Sequence, residues 1–167
     1  MANVKIEFDL SGIKEARAKL ERLQEATSDL RPLLEAIRED LLLSHDERAR
    51  DQVDPQGHTW KALDPLYAKT KRGGRILHAS GRMLSLASRV EGDTVVIGTN
   101  AEYAAAHQFG ATIRPKAKKA LRFNMGGKWF TKKSVTIPAR PFLGVSEQDK
   151  KDMVEAVQDY LDETLKA

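Results

Sequence analysis

The chain contains no cysteine. This excludes a disulfide scaffold, a thiolate metal site and a cysteine nucleophile, and it suits a reducing compartment. No apolar run approaches the roughly 20 residues that a membrane-spanning helix needs. The opening MANVKIEFDLSG has acidic residues within its first ten and no apolar stretch of the signal-peptide kind. A soluble intracellular product with no membrane partner is therefore expected. The signatures of common catalytic sites are missing as well. There is no GxSxG elbow and no P-loop, and RGGR at 72–75 lacks the lysine and hydroxyl that complete a phosphate cradle. No two of His45, His58, His78 and His107 stand four apart, the spacing that lets a helix hold zinc. Between residues 55 and 143 the only acids are Asp64, Glu91, Asp93 and Glu102. No enzyme, cofactor or metal site is expected.

What the chain does carry is enough length for one domain with its own core, 167 residues, and a strong charge asymmetry. Residues 1–54 hold 9 Lys and Arg against 13 Asp and Glu, residues 55–143 hold 16 against 4, and residues 144–167 hold 3 against 7. A basic middle between acidic ends bears on partners rather than fold. It can meet nucleic acid, an acidic protein surface, or the acidic ends of a neighbouring copy.

Periodicity supplies the elements. NVKIEFDL at 3–10 alternates with period two, as a half-buried strand does. Ser11 can cap a helix whose apolar face is Ile13, Ala16, Leu20 and Leu23. After ATSD a second helix begins near Pro32, which only a first helical turn tolerates, with Leu30, Leu33, Leu34, Ile37 and Leu41 as its stripe. It fades near Arg50. Residues 51–80 are rich in turn residues and read as a long irregular excursion pinned by Trp60, Leu63 and Tyr67. Ser80 opens a short helix, LASRVEGDTVVIGT is a hairpin turning at Glu91–Asp93, and YAAAHQFG is one or two helical turns ended by Gly110 in a left-handed position. Residues 118–138 form two strands around Gly126 and Gly127, then a third extended piece. IPARPFLG at 137–144 is held extended by its prolines. Ser146 caps a last helix with Val154, Val157, Leu161 and Leu165 as its apolar face. The expected fold is α+β, one domain over 1–167. Residues 1–50 make a strand plus a helical hairpin, 51–80 a long loop, 81–145 the antiparallel β-sheet region with a short helix inside it, and 146–167 the C-terminal helix.

Four fragments in this order carry a family likeness: DPQGHTWKAL, ILHASGRMLSLAS, VVIGTNAEYAAAHQFG and IPARPFLG. Together they resemble the phage virion morphogenesis family, the tail-completion proteins of Mu-like and related tailed bacteriophages, over about residues 50–165. The resemblance implies a non-enzymatic virion protein that works late in assembly. It would act at the head-proximal end of the tail or in the neck, first in the host cytoplasm and then in the virion. It also implies self-association into a ring, commonly sixfold, around the DNA channel. Tail tube or sheath proteins and head-completion or neck proteins would be its neighbours. The insert RPKAKKALRFNMGGKWFTKKSVT departs from any fixed pattern of that family.

Under this reading Tyr103, His107 and Phe109 pack the short helix against the sheet or a neighbour, and His107 as a general base is the poorer alternative. Trp60 and Tyr67 anchor the loop or enter a contact. Lys116, Lys118 and Lys119 face channel DNA without reading sequence, or pair with an adjacent subunit, or simply solvate a hairpin. Trp129, Phe123 and Phe130 can stack on single strands or fill that hairpin's core. Arg140 makes a structural hydrogen bond or ion pair, and Phe142 belongs to an interface or to the core. A small basic nucleic-acid-binding protein is the alternative function.

Overall fold

The computed structural model describes residues 11–71, 73–79 and 81–166, with side chains from residue 14 onward. The strand read at 3–10 and the cap read at Ser80 lie outside the described residues. Among the described residues, five helices and three two-stranded antiparallel ladders follow one another: α1 (Ser11–Ser28), α2 (Arg31–Asp51), α3 (Pro65–Thr70), β1 (Ala87–Glu91), β2 (Thr94–Gly98), α4 (Ala104–Phe109), β3 (Ala111–Ile113), β4 (Leu121–Met125), β5 (Lys128–Lys132), β6 (Val135–Ile137) and α5 (Glu147–Lys166). The ladders pair β1 with β2, β3 with β6 and β4 with β5.

α2 is the central support. Pro32 sits in its first turn, where its missing N–H costs nothing. Leu33, Ile37 and Leu41 recur at helical spacing and are buried against Val95 and Ile97 of the first hairpin and against Met153, Ala156 and Tyr160 of α5. A second core gathers Trp60, Met83, Ala101 and Phe142. It joins the segment after α2 to the segment before α5.

α5 begins with a reciprocal cap: the Asp149 amide donates to Ser146 Oγ at 3.0 Å, and the Ser146 amide donates to Asp149 Oδ2 at 2.7 Å. That cap turns Asp149 inward and fixes the helix's phase. Met153, Ala156 and Tyr160 follow at steps of four, three and four and become the packed face. The stripe expected from the sequence lies about 100° round the helix. Val154 is 57% exposed, Val157 is exposed, and Leu161 and Leu165 are only half-buried. α1 behaves similarly: Leu20 is exposed and Leu23 half-buried, while Tyr160 Oη holds the helix end by donating to the carbonyls of Ala26 and Asp29.

Three local expectations are corrected. The short helix after residue 80 is a single turn, with the Leu84 and Ser85 amides both donating to the Gly81 carbonyl. Gly81, with φ +75°, stands at the head of that turn, and the chain enters β1 at Ala87. Within 51–80 the DP pair starts a helix: Asp64 Oδ1 accepts from the amides of Leu66 and Tyr67, and Pro65 opens α3. Gly110 has φ 76° but ψ 159°, an extended positive-φ conformation rather than the left-handed helical one. A Cβ there would stand 3.0 Å from the Ala139 amide nitrogen, so only glycine lets α4 lie this close to the chain leaving β6.

Candidate functional site

Trp60, Arg140 and Phe142 are 4%, 6% and 4% exposed and bind the chain to itself. Trp60 Nε1 donates to the Pro141 carbonyl at 2.7 Å. Arg140 Nε and Nη2 donate to the carbonyls of Lys61 and Ala62, and its amide donates to the His107 carbonyl. Pro138 and Pro141 hold the backbone extended, so these groups meet their partners with little ordering left to do. Gln108, which no sequence pattern singles out, completes the clamp. Its Oε1 accepts from the amides of Phe142 and Leu143, and its Nε2 donates to the Leu143 carbonyl. IPARPFLG is thus a strap anchored by two buried side chains; Arg140 and Phe142 can serve a contact surface only by positioning what lies above them.

The strap ends on α2. Arg48 Nη1 donates to Asp149 Oδ2 at 2.8 Å, its Nη2 donates to the Gly144 carbonyl at 2.9 Å, and Ser44 Oγ donates to Asp149 Oδ1. Burial pushes the Asp149 carboxyl up, but the Ser146 amide, the Ser44 and Ser146 hydroxyls and Arg48 outweigh it and hold the group below its ordinary value. Nearby, His45 Nδ1 lies 2.5 Å from the Leu41 carbonyl, an obligate acceptor, so Nδ1 carries the proton. Its Nε2 then accepts from the Gly144 amide at 3.4 Å. Burial first, then Arg48, lowers its pKa; the bond to Leu41 and the charge of Asp149 oppose that only in part.

On the other side of the strap an open cleft of about 780 Å³ runs between α3, α4, β4 and β6. Leu63, Tyr67, Met83, Tyr103, Phe123 and Ile137 give it an apolar lining. Its polar groups are already engaged or lie apart. Lys71 Nζ donates to the carbonyls of Arg75 and His78, closing the glycine loop beneath it. Asp64, the one carboxylate on the wall among the described residues, is the cap of α3. His107 stands edge-on to Tyr103 with ring centroids 6.2 Å apart, and burial, then the charge of Arg140, lowers its pKa. No acid is paired with it among the described residues. Among those residues no three His, Asp or Glu side chains gather as a metal cage.

The remaining candidates stand outward. Tyr67 and Tyr103 are exposed on the cleft rim, and Phe109 at the end of α4 is 78% exposed. The hairpin β4–β5 forms an arm beyond the cleft. Phe123 and Phe130 stack on its inner face at 5.9 Å, so their role is the hairpin's own core. On its outer face Trp129 is 65% exposed, with the Arg122 guanidinium 4.9 Å above the ring. Gly126 and Gly127 make the tip with φ +62° and +78°. A Cβ on Gly126 would meet the Leu66 carbonyl at 2.8 Å, so the tip rests directly on α3. Lys116, Lys118 and Lys119 are exposed in the run leading into β4. From Arg114 to Lys133 there are eight basic residues and no acid, and none forms an ion pair among the described residues.

The comparisons with known proteins agree with the likeness read in the sequence. A model of the phage virion morphogenesis family matches residues 11–162, from the start of α1 to near the end of α5, and the chain belongs to that family. It is similar to Mu-like prophage FluMu G protein 2 of Haemophilus influenzae, at 31% identity over 156 residues, which is 93% of this chain and 95% of that relative. No solved structure matches it.

Proposed function

We propose that this chain is a structural subunit that completes the phage tail and supports its joining to the head, acting as one member of a ring at the tail's head-proximal end or in the neck. Family membership supplies the setting in virion morphogenesis. The observation that carries the reading further is the contrast between a strap bonded to the chain's own groups and a surface that leaves Tyr103 on the cleft rim, Phe109 on α4 and Trp129 on the arm in solvent. Large exposed aromatics are the raw material of protein contacts, where they supply most of the binding energy. Tail tube or sheath proteins on one side, and head-completion or neck proteins on the other, are the partners this reading assigns. Immunogold electron microscopy of purified virions tests it. Label confined to the head–tail junction supports the reading, and label along the tail shaft, or none on virions, contradicts it.

A second reading rests on the acid-free run from Arg114 to Lys133: direct, sequence-independent contact with DNA. It requires the isolated protein to bind a short duplex with a steep loss of affinity as salt rises.

A further inference from the structure

We propose that the β4–β5 arm docks on the α2–α5 face of a second copy of this chain, so that subunits associate head to tail. This rests on the ring reading above and names the two surfaces that would build it. The outer face of the arm is exposed. There the Arg122 guanidinium lies over the exposed Trp129, and the exposed Lys116, Lys118 and Lys119 lead into β4.

The complementary surface is a shallow trough of about 410 Å³ between α2 and α5. Asp40, Glu47, Asp152, Glu155 and Asp159 line it without a basic residue among them. Among the described residues none of the five forms an ion pair; Asp152 accepts from Gln148 Nε2. Leu43 lies in the same trough and is 58% exposed. Each surface therefore has an exposed apolar residue within charges of one sign, and the signs are opposite. That is the anatomy of a protein interface, a hydrophobic centre inside a polar rim. A duplex would satisfy the cations but leave Leu43 and the five carboxylates with nothing to do.

The two surfaces do not satisfy each other within one chain. The arm rests on α3, whereas the trough is bounded by α2 and α5, and no ion pair connects them among the described residues. Two different surfaces meeting between copies make a heterologous contact. Such a contact closes into a ring when its rotation allows, and otherwise extends as a filament. Complementary charge steers the encounter and makes it sensitive to salt.

The test uses two triple variants of the full chain: Lys118→Glu with Lys119→Glu and Arg122→Glu on the arm, and Asp152→Lys with Glu155→Lys and Asp159→Lys on the trough. Circular dichroism checks each fold, and sedimentation velocity at low and high salt reads the assembly. The wild type is expected to associate at low salt and dissociate as salt rises. Each variant alone, with like charges now facing each other, is expected to associate on the order of tenfold or more weakly. An equimolar mixture is expected to recover the assembly, because each altered surface then meets its opposite on the other chain. Leu43→Glu and Trp129→Ser serve as single-site versions should a triple variant misfold, each expected to weaken association.

If both triple variants assemble as the wild type does, this docking is wrong while the ring reading stands. A wild type that stays monomeric at low salt contradicts both. An arm variant that loses binding to a short DNA duplex yet keeps its oligomer makes the arm a nucleic-acid surface and overturns the proposal.

Discussion

The two sides of the strap use similar residue types to opposite ends. Around the strap Arg48, Arg140, Asp149 and Trp60 are turned inward, and the strap is bonded to α2, α4 and the loop after α2. On the arm side Arg122, Trp129 and the lysines of 114–133 face solvent, and ladders of only two strands hold the backbone. A buried Arg–Asp pair is costly to break because the survivor is left charged in a poor solvent. An exposed cation is worth little to stability. Residues that hold the fold gather at the strap, and exposed cations and Trp129 gather on and beside the arm.

The comparison breaks most readily at Asp149. Asp149→Ala leaves Arg48 buried without its carboxylate and removes the α5 cap, and it is expected to cost about 3–5 kcal/mol, read as a fall in the urea midpoint. An unchanged midpoint would mean that the strap is not the anchor described. Gly126→Ala acts at the seam between arm and α3. Its positive φ and the nearby Leu66 carbonyl predict a loss of about 1–3 kcal/mol, measurable in the same way, with the amide signals of α3 shifting and those of α2 unmoved.

A pH series sharpens the contrast. His45 and His107 have folded-state pKa values below the ordinary 6.5. The unfolded chain therefore binds protons first as pH falls, so stability is full above about 6.5 and declines below it. Asp149 adds a second decline below its ordinary 3.8, where its carboxyl must be protonated in the unfolded chain first and then in the folded one. NMR titration should place both histidine midpoints under 6.5. The smallest stability effect is expected at the rim. Phe109→Ser should change the unfolding free energy by no more than about 0.5 kcal/mol while reducing the yield of infectious particles.

Most of the elements were legible where local chemistry decides them. Pro32, the period of Leu33, Ile37 and Leu41, the glycine pair at 126–127 and the Ser146 cap each point to one structure, and the family likeness was carried by four fragments in order, from DPQGHTWKAL to IPARPFLG. α3 was missed inside the stretch read as a loop, although Asp64–Pro65 is a cap followed by a proline tolerated in the first turn. The phase of α5 was not legible. Both of its faces carry apolar residues at helical spacing, and the choice between them depends on Asp149 meeting Arg48, a contact across 101 residues. The inward turn of Arg140 was equally hidden, because its partners are backbone carbonyls, which every residue has. Gln108 leaves no pattern for the same reason. The candidate surface was legible only as composition: the acid-free run could be counted, but only the fold separates buried Phe142 from exposed Phe109.

The central claim is that this chain joins finished parts of a virion. Electron microscopy of a phage lysate lacking this gene product tests it most directly. The account predicts filled heads lying beside completed but unattached tails. Intact, infectious particles would contradict it.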